Sequence, residues 1–177
     1  GRTLLAESRT LQNQDARVAR LDEAQAMFEA FTRGAPDHPQ SGQANTERAR
    51  ILLDKARVEI YAADEPANQG NREAFRGRAR QYIQQAREVF QQAHDQHQAT
   101  WESMKGFIPE EEKARRAARD EAEALFMQAQ LDLARTIYEE AQTYDRGDQR
   151  KEMLDKAAAA FEEIHQKYRS QIAGLHA

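Results

Sequence analysis

The sequence contains no cysteine, which removes disulfides, thiolate nucleophiles and cysteine-based metal sites together. Glycine and proline are scarce, 8 and 4 among 177 residues, so little of the chain can be turn or loop. No hydrophobic run approaches the roughly 18–20 residues needed to cross a bilayer as a helix, so no membrane span is expected. Charge of a single sign is missing as well. A net charge of −4 gives no electrostatic reason to seek nucleic acid or an anionic membrane. Neither a Gly-rich phosphate loop nor a Ser, His and Asp constellation can be picked out, and the carboxylates are scattered as helix-surface charges. The expectation is a chain without catalytic residues or cofactor.

What is present is the vocabulary of long helices. Charged residues make up 32% and hydrophobic residues 40%, with Ala, Glu, Gln, Arg and Leu prominent. The expected fold is all-α. Breakers cluster at Gly34-Ala35-Pro36-Asp37-His38-Pro39-Gln40-Ser41-Gly42, at Glu65-Pro66-Ala67-Asn68-Gln69-Gly70-Asn71, at Gly106-Phe107-Ile108-Pro109 and at Asp145-Arg146-Gly147-Asp148. They predict five long helices, 3–33, 43–64, 72–105, 109–144 and 148–168, and a short C-terminal one starting after Ser170. Pro109 suits a first helical turn, with Glu110, Glu111 and Glu112 complementing the helix dipole there. Apolar residues inside each segment recur at steps of three and four, as in Phe75, Ala79, Tyr82, Ile83, Ala86 and Phe90.

Those stripes repeat. Tyr82, Ile83, Ala86, Phe90, Ala93, His94 and His97 align without gaps on Met153, Leu154, Ala157, Phe161, Ile164, His165 and Tyr168, at 157 − 86 = 71. The helices before them align too: Ala49, Leu52, Leu53, Ala56 and Ile60 on Ala122, Leu125, Phe126, Ala129 and Leu133, at 122 − 49 = 73. The first helix adds a third copy of the second-helix stripe, Leu21, Ala24, Phe28 and Phe31, at 86 − 24 = 62. The implied unit is an antiparallel helix pair that buries its apolar face by stacking on a similar pair.

The spacing Ala-x3-Phe followed by a further apolar residue resembles the second helix of a tetratricopeptide repeat, which ends before a Pro. Ala24, Phe28, Phe31 and Pro36 fit that pattern. Tyr168 and Ser170 resemble the Tyr-x-Ser ending of bacterial envelope tetratricopeptide proteins, with Arg169 where Pro is usual. The first helices lack the family's Trp-x2-Leu-Gly-x2-Tyr signature. The resemblance implies a bacterial-type, TPR-like α-solenoid of stacked helix hairpins in the cell envelope or secreted. It also implies a scaffold whose first helices line a groove for a protein or peptide partner. Arg48, Lys55, Gln128 and Arg135 are the candidate groove contacts.

Three other patterns invite chemistry. His94-x2-His97 would be half of a zinc site, but His97 aligns with Tyr168 and no third ligand lies near in sequence, so no metal site is expected. Glu162-x2-His165 matches the Glu-x2-His element of di-iron bundles, which need it twice; Gln91 stands where the second Glu is required. The basic groups Arg76, Arg78 and Arg80, and Lys113, Arg115, Arg116 and Arg119, fall at opposite ends of a helix hairpin and suit a solvated charged face. Trp101, the single tryptophan, closes the turn after its helix or anchors a partner.

The expected organisation is one helical-repeat domain, 1–177. It consists of an unpaired second-type helix and loop (1–42), a first hairpin (43–105), a second hairpin (109–168) and the start of a further helix (170–177). An unpaired helix at each end motivates a rival function, a structural subunit joining copies of itself end to end into a filament or ring. Leu4, Leu11, Val18, Ile172 and Leu175 are its candidate contacts.

Overall fold

The computed structural model describes residues 2–10, 14–38 and 40–169. Among them the chain is all-helical and has no strand. Six helices are described: α1 Arg2–Thr10, α2 Gln14–Gly34, α3 Ser41–Asp64, α4 Arg72–Ser103, α5 Lys113–Ala141 and α6 Asp148–Tyr168, with a 3-10 turn, Pro66–Asn71, between α3 and α4. Each helix packs on its neighbours in chain order, and α3 also touches α5.

The single helix expected over 3–33 is two. α1 folds back along α2, bringing Glu7 to 3.9 Å from Arg20 and Leu4 against the Leu21, Ala24, Ile51 and Val58 cluster. No Gly or Pro lies between residues 2 and 33 to announce this. Tertiary burial decides it, because a continuous helix would carry Leu4 away from that cluster, and packing overrides propensity. α2 therefore packs on α1 as well as on α3, rather than standing unpaired. α5 likewise begins at Lys113 rather than 109: Pro109 precedes the helix, and its carbonyl accepts the Glu112 amide in a turn at 3.2 Å.

Side chains close the connections by binding carbonyls that helix ends leave open. Ser41 Oγ donates to the Ala35 carbonyl at 2.6 Å, and Gln40 donates its backbone N–H to His38 Nδ1 at 3.1 Å. Asn68 Nδ2 donates to Ala62 O at 2.9 Å and Arg72 Nε to Ala63 O at 3.2 Å, holding the turn between α3 and α4. Arg116 donates through Nε and Nη2 to the Ile108 carbonyl, each at 3.3 Å, before α5.

α4 is the centre of the core. Its Ala79, Ile83, Ala86 and Phe90 are buried against Ala49, Leu52, Leu53 and Ala56 of α3, with Leu133 of α5 packed on the same cluster. The similar stripes of α3 and α5 thus both turn towards α4, one from before it and one from after. α5 meets α6 through a different set, Met127, Leu131 and Ala134 against Ile164 and Tyr168. Leu125, aligned with the buried Leu52, is left 44% exposed. The first-helix alignment matches residue types whose packing neighbours differ.

The second-helix alignment is more faithful at its small residue: Ala24, Ala86 and Ala157 are all buried. At the aromatic position it is not, since Phe90 is fully buried whereas Phe161 is only partly so. Phe90 has helices on two sides, α3 and α5; among the described residues α6 packs extensively on α5 alone. Phe90→Ala is expected to cost about 3–5 kcal/mol of folding stability, the range for a buried Phe. Phe161→Ala should cost roughly 1–2 kcal/mol, because less apolar area returns to water. Urea unfolding of both variants checks the difference; equal losses would mean that α6 is covered as α4 is.

Candidate interaction surface

α3 uses three faces, and they sort the candidate residues. One face, Ile51, Lys55 and Val58, lies on α2. A second, Ala49, Leu53 and Ala56, lies on α4. The third carries Arg50, Asp54 and Arg57, at steps of four and three, and meets α5. Arg50 Nη2 lies 2.9 Å from Asp132 Oδ2 and Arg57 Nη2 lies 2.5 Å from Glu139 Oε1, both pairs 82 residues apart in sequence.

These contacts form two ion networks one heptad apart. In the first, Arg50 also reaches Glu47 at 3.1 Å, and Asp132 lies 3.7 Å from Arg135. In the second, Arg57 bridges Glu139 and Asp54, the latter at 2.8 Å. The carboxylates lie underneath: the Asp132 side chain is 1% exposed and those of Asp54 and Glu139 are each 6% exposed. About a third of each guanidinium-bearing side chain stays in water, 32% for Arg50 and 35% for Arg57. Burial works against the Arg57 charge, but Glu139 and Asp54 outweigh it and raise its pKa. With four carboxylates against three guanidinium groups the seam is close to neutral, and it holds α3 beside α5 rather than offering an anion site.

α4 is tied to α5 by the same chemistry. Arg87 donates from Nε to Thr136 Oγ1 at 3.0 Å and pairs with Glu140 at 2.5 Å. Arg76, buried, reaches Asp145 at 2.7 Å and holds that carboxyl below the usual carboxylate range. Arg78 pairs with Glu59 at 2.7 Å, and Arg80 with Glu73. Arg115 pairs with Glu112 at 3.2 Å and Arg119 with Asp120 at 3.0 Å. The basic groups read as a solvated face are thus largely engaged within the chain.

The candidate contacts separate accordingly. Lys55 is enclosed between α2 and α3, 2.6 Å from Asp22 and 5.8 Å over the Tyr82 ring. Arg48, seven residues before it, is half-buried on the same side. Gln128 and Arg135 are exposed on α5 beside the seam. Tyr61 and Tyr138, one turn beyond Arg57 and Arg135, are exposed there too. Leu4 and Val18 are packed against the cluster between α2 and α3; Leu11, Ile172 and Leu175 lie outside the described residues.

Trp101 is half-buried, stacked on Phe126 at 5.4 Å with Lys105 Nζ 4.2 Å over its ring. His94 packs on the other side of the corner, 5.0 Å from Phe126, and its Nδ1 is 3.0 Å from Asp95. Among the described residues no three His, Asp or Glu side chains converge on a metal position. Burial, and then the neighbouring His94, push the His97 pKa down. Open grooves among the described residues include two between these helices. One of about 250 Å³ lies among α4, α5 and α6, lined by His94, Leu133, Ile137, Ile164 and Lys167. The other, of about 470 Å³, lies among α1, α2 and α3, floored by Met27, Phe28, Phe31 and Ala44 between Arg2 and Glu47.

Compared with protein-family models, curated proteins and solved structures, the chain has no significant match.

Two outcomes test this surface. Arg50→Leu strands the Asp132 carboxylate and is expected to cost about 3 kcal/mol, the low end for breaking a buried pair, because Arg50 itself is partly in water. Adding Asp132→Leu should recover most of that loss, measured by urea unfolding. The depressed His97 pKa means that the unfolded chain binds this proton more tightly than the folded one. Its contribution is therefore present above about pH 6.5 and is lost as pH falls through the ordinary histidine range. His97→Phe should flatten the dependence of Tm on pH between about 7.5 and 5.5. An unchanged slope would mean that the imidazole is as well solvated folded as unfolded.

Proposed function

We propose that the chain is a non-enzymatic, TPR-like scaffold in which α1–α2, α3–α4 and α5–α6 act as stacked pairs and a protein or peptide partner binds along the first helices. The single observation that carries this reading is the placement of α3 beside α5. Helices that are not consecutive in the chain lie next to each other, locked by the Arg50–Asp132 and Arg57–Glu139 pairs. That is the relation a groove of successive first helices requires. Gln128, Arg135, Tyr61 and Tyr138 supply exposed polar and aromatic groups beside the seam, a mixture suited to binding an extended peptide. End-to-end assembly into a filament or ring is the weaker reading, because Leu4 and Val18 are engaged inside the chain.

Selection from a random-peptide display library on the immobilised chain tests the proposal. The expected result is enrichment of related peptides whose affinity falls about tenfold or more, some 1.4 kcal/mol, with Tyr138→Ala or Arg135→Ala. Gln92→Ala, at an exposed position of α4, should leave binding unchanged. No enrichment, or peptides indifferent to both α5 substitutions, would count against the groove.

A further inference from the structure

One stripe recurs at equivalent positions on α2, α4 and α6, but its surroundings differ. It reads Leu21, Gln25 and Phe28 on α2, Ile83, Arg87 and Phe90 on α4, and Leu154, Ala158 and Phe161 on α6. α3 covers the first: Leu21 is buried with Ile51 and Val58, and Lys55 reaches Asp22 at 2.6 Å and the Gln25 side-chain oxygen at 2.5 Å. α3 and α5 share the second: Ile83 and Phe90 pack on α3 with Leu133 of α5 beside them, and Arg87 is paired to Glu140 of α5 at 2.5 Å. On the third, α5 packs on Phe161 from one side, but among the described residues no other helix packs extensively on α6, so Leu154 and Phe161 stay half-buried and Ala158 is exposed.

The charges on α6 select the kind of helix that fits. Asp155 stands where α2 has Asp22 and α4 has Gln84, at 155 − 22 = 133. It is exposed and forms no ion pair among the described residues. Ala158 stands where α4 has Arg87. α6 therefore offers the anion that α3 matches with Lys55 and lacks the cation that α5 matches with Glu140. Ala158 and Ala159, both small and exposed, permit the close approach a packed helix needs.

We infer that the open face of α6 binds an amphipathic helix of a partner protein, lying antiparallel to it. Its contact stripe reads aliphatic-x3-Lys-x2-aliphatic, the pattern of Ile51, Lys55 and Val58 in α3. This rests on the stacked-pair reading above. A second copy fits poorly: its α3 stripe is enclosed, and α1 turns the exposed residues Arg2, Thr3, Ala6 and Glu7 outward.

The probe is a dye-labelled peptide with the sequence of residues 41–64, titrated onto the full chain and followed by fluorescence anisotropy. Saturable binding is expected. Asp155→Lys and Ala158→Arg, both at exposed positions, should each weaken it about tenfold or more, while the peptide's own Lys55→Glu change should restore affinity for Asp155→Lys. No binding, or binding indifferent to both α6 substitutions, overturns the inference; the latter would mean that the peptide invades the α2 or α4 side. Concentration-dependent self-association abolished by Asp155→Lys would overturn it in favour of a second copy. Tighter peptide binding by Ile172→Asp would overturn it in favour of the chain's own residues 170–177. Loss of this site with the Tyr138 and Arg135 groove intact removes the inference alone, whereas loss of the groove alone removes the scaffold reading.

Discussion

Close approach of helices at a small side chain is the contact on which the rest depends. At Ala24, Ala86 and Ala157 a helix surface is low enough for a neighbour to come near, and all three are buried. Around Ala86 the neighbours Ala79, Ile83 and Phe90 fill the remaining space against Ala49, Leu53 and Ala56. A residue much larger than Ala at this place would lever α3 away from α4, and the overpacking would cost about 1–3 kcal/mol. Because α3 is fixed on α4, its remaining faces are fixed too, and the charges of the third face then have a defined place to meet α5.

The seam between α3 and α5 has a different task from that of the core. Burying carboxylates such as Asp132 and Glu139 under partly exposed arginines gives little net stability, since desolvation offsets most of the attraction. Register is what it supplies. Apolar contacts between Ala and Leu tolerate a shift of one turn, whereas the ion pairs do not. Were α5 displaced by one turn, Arg57 would face Arg135 instead of Glu139, placing like charges together. Two pairs with the same separation of 82 residues fix the sliding coordinate of the two helices.

Much of the helix pattern was legible in the sequence, because Pro and Gly mark ends that physics also requires. The expected starts at 72 and 148 and the ends at 64 and 168 coincide with the observed helices. The return of α1 along α2 left no such mark, as it is driven by where Leu4 can be buried and not by local chemistry. The repeat between α3 and α5 was visible as residue types, yet the neighbours of those residues were not. A stripe of Ala and Leu says that a face is buried and is silent about which helix buries it. The seam was hidden for a related reason: Arg50 and Arg57, and Asp132 and Glu139, are each seven residues apart, but the match matters only once α3 and α5 lie side by side. Lys55 was read as a groove contact because it is a polar residue of a helix that the family resemblance puts along the groove, and its enclosure depends on Asp22 and Tyr82 arriving from other helices.

The charges between helices also discriminate among partners that otherwise look alike. α3 and α5 carry similar apolar stripes, so nothing apolar prevents either from lying where the other does. The polar positions do prevent it. On α2 the covering helix must meet Asp22 and Gln25, which Lys55 satisfies; on α4 it must meet Arg87, which Glu140 and Thr136 satisfy. A lysine set against Arg87, or a glutamate set against Asp22, would place like charges together in partly desolvated surroundings. Discrimination of this kind comes from the penalty on the wrong arrangement as much as from the attraction in the right one. Helices with such similar apolar stripes need that penalty, because each otherwise presents its neighbours with several apolar faces of almost equal quality.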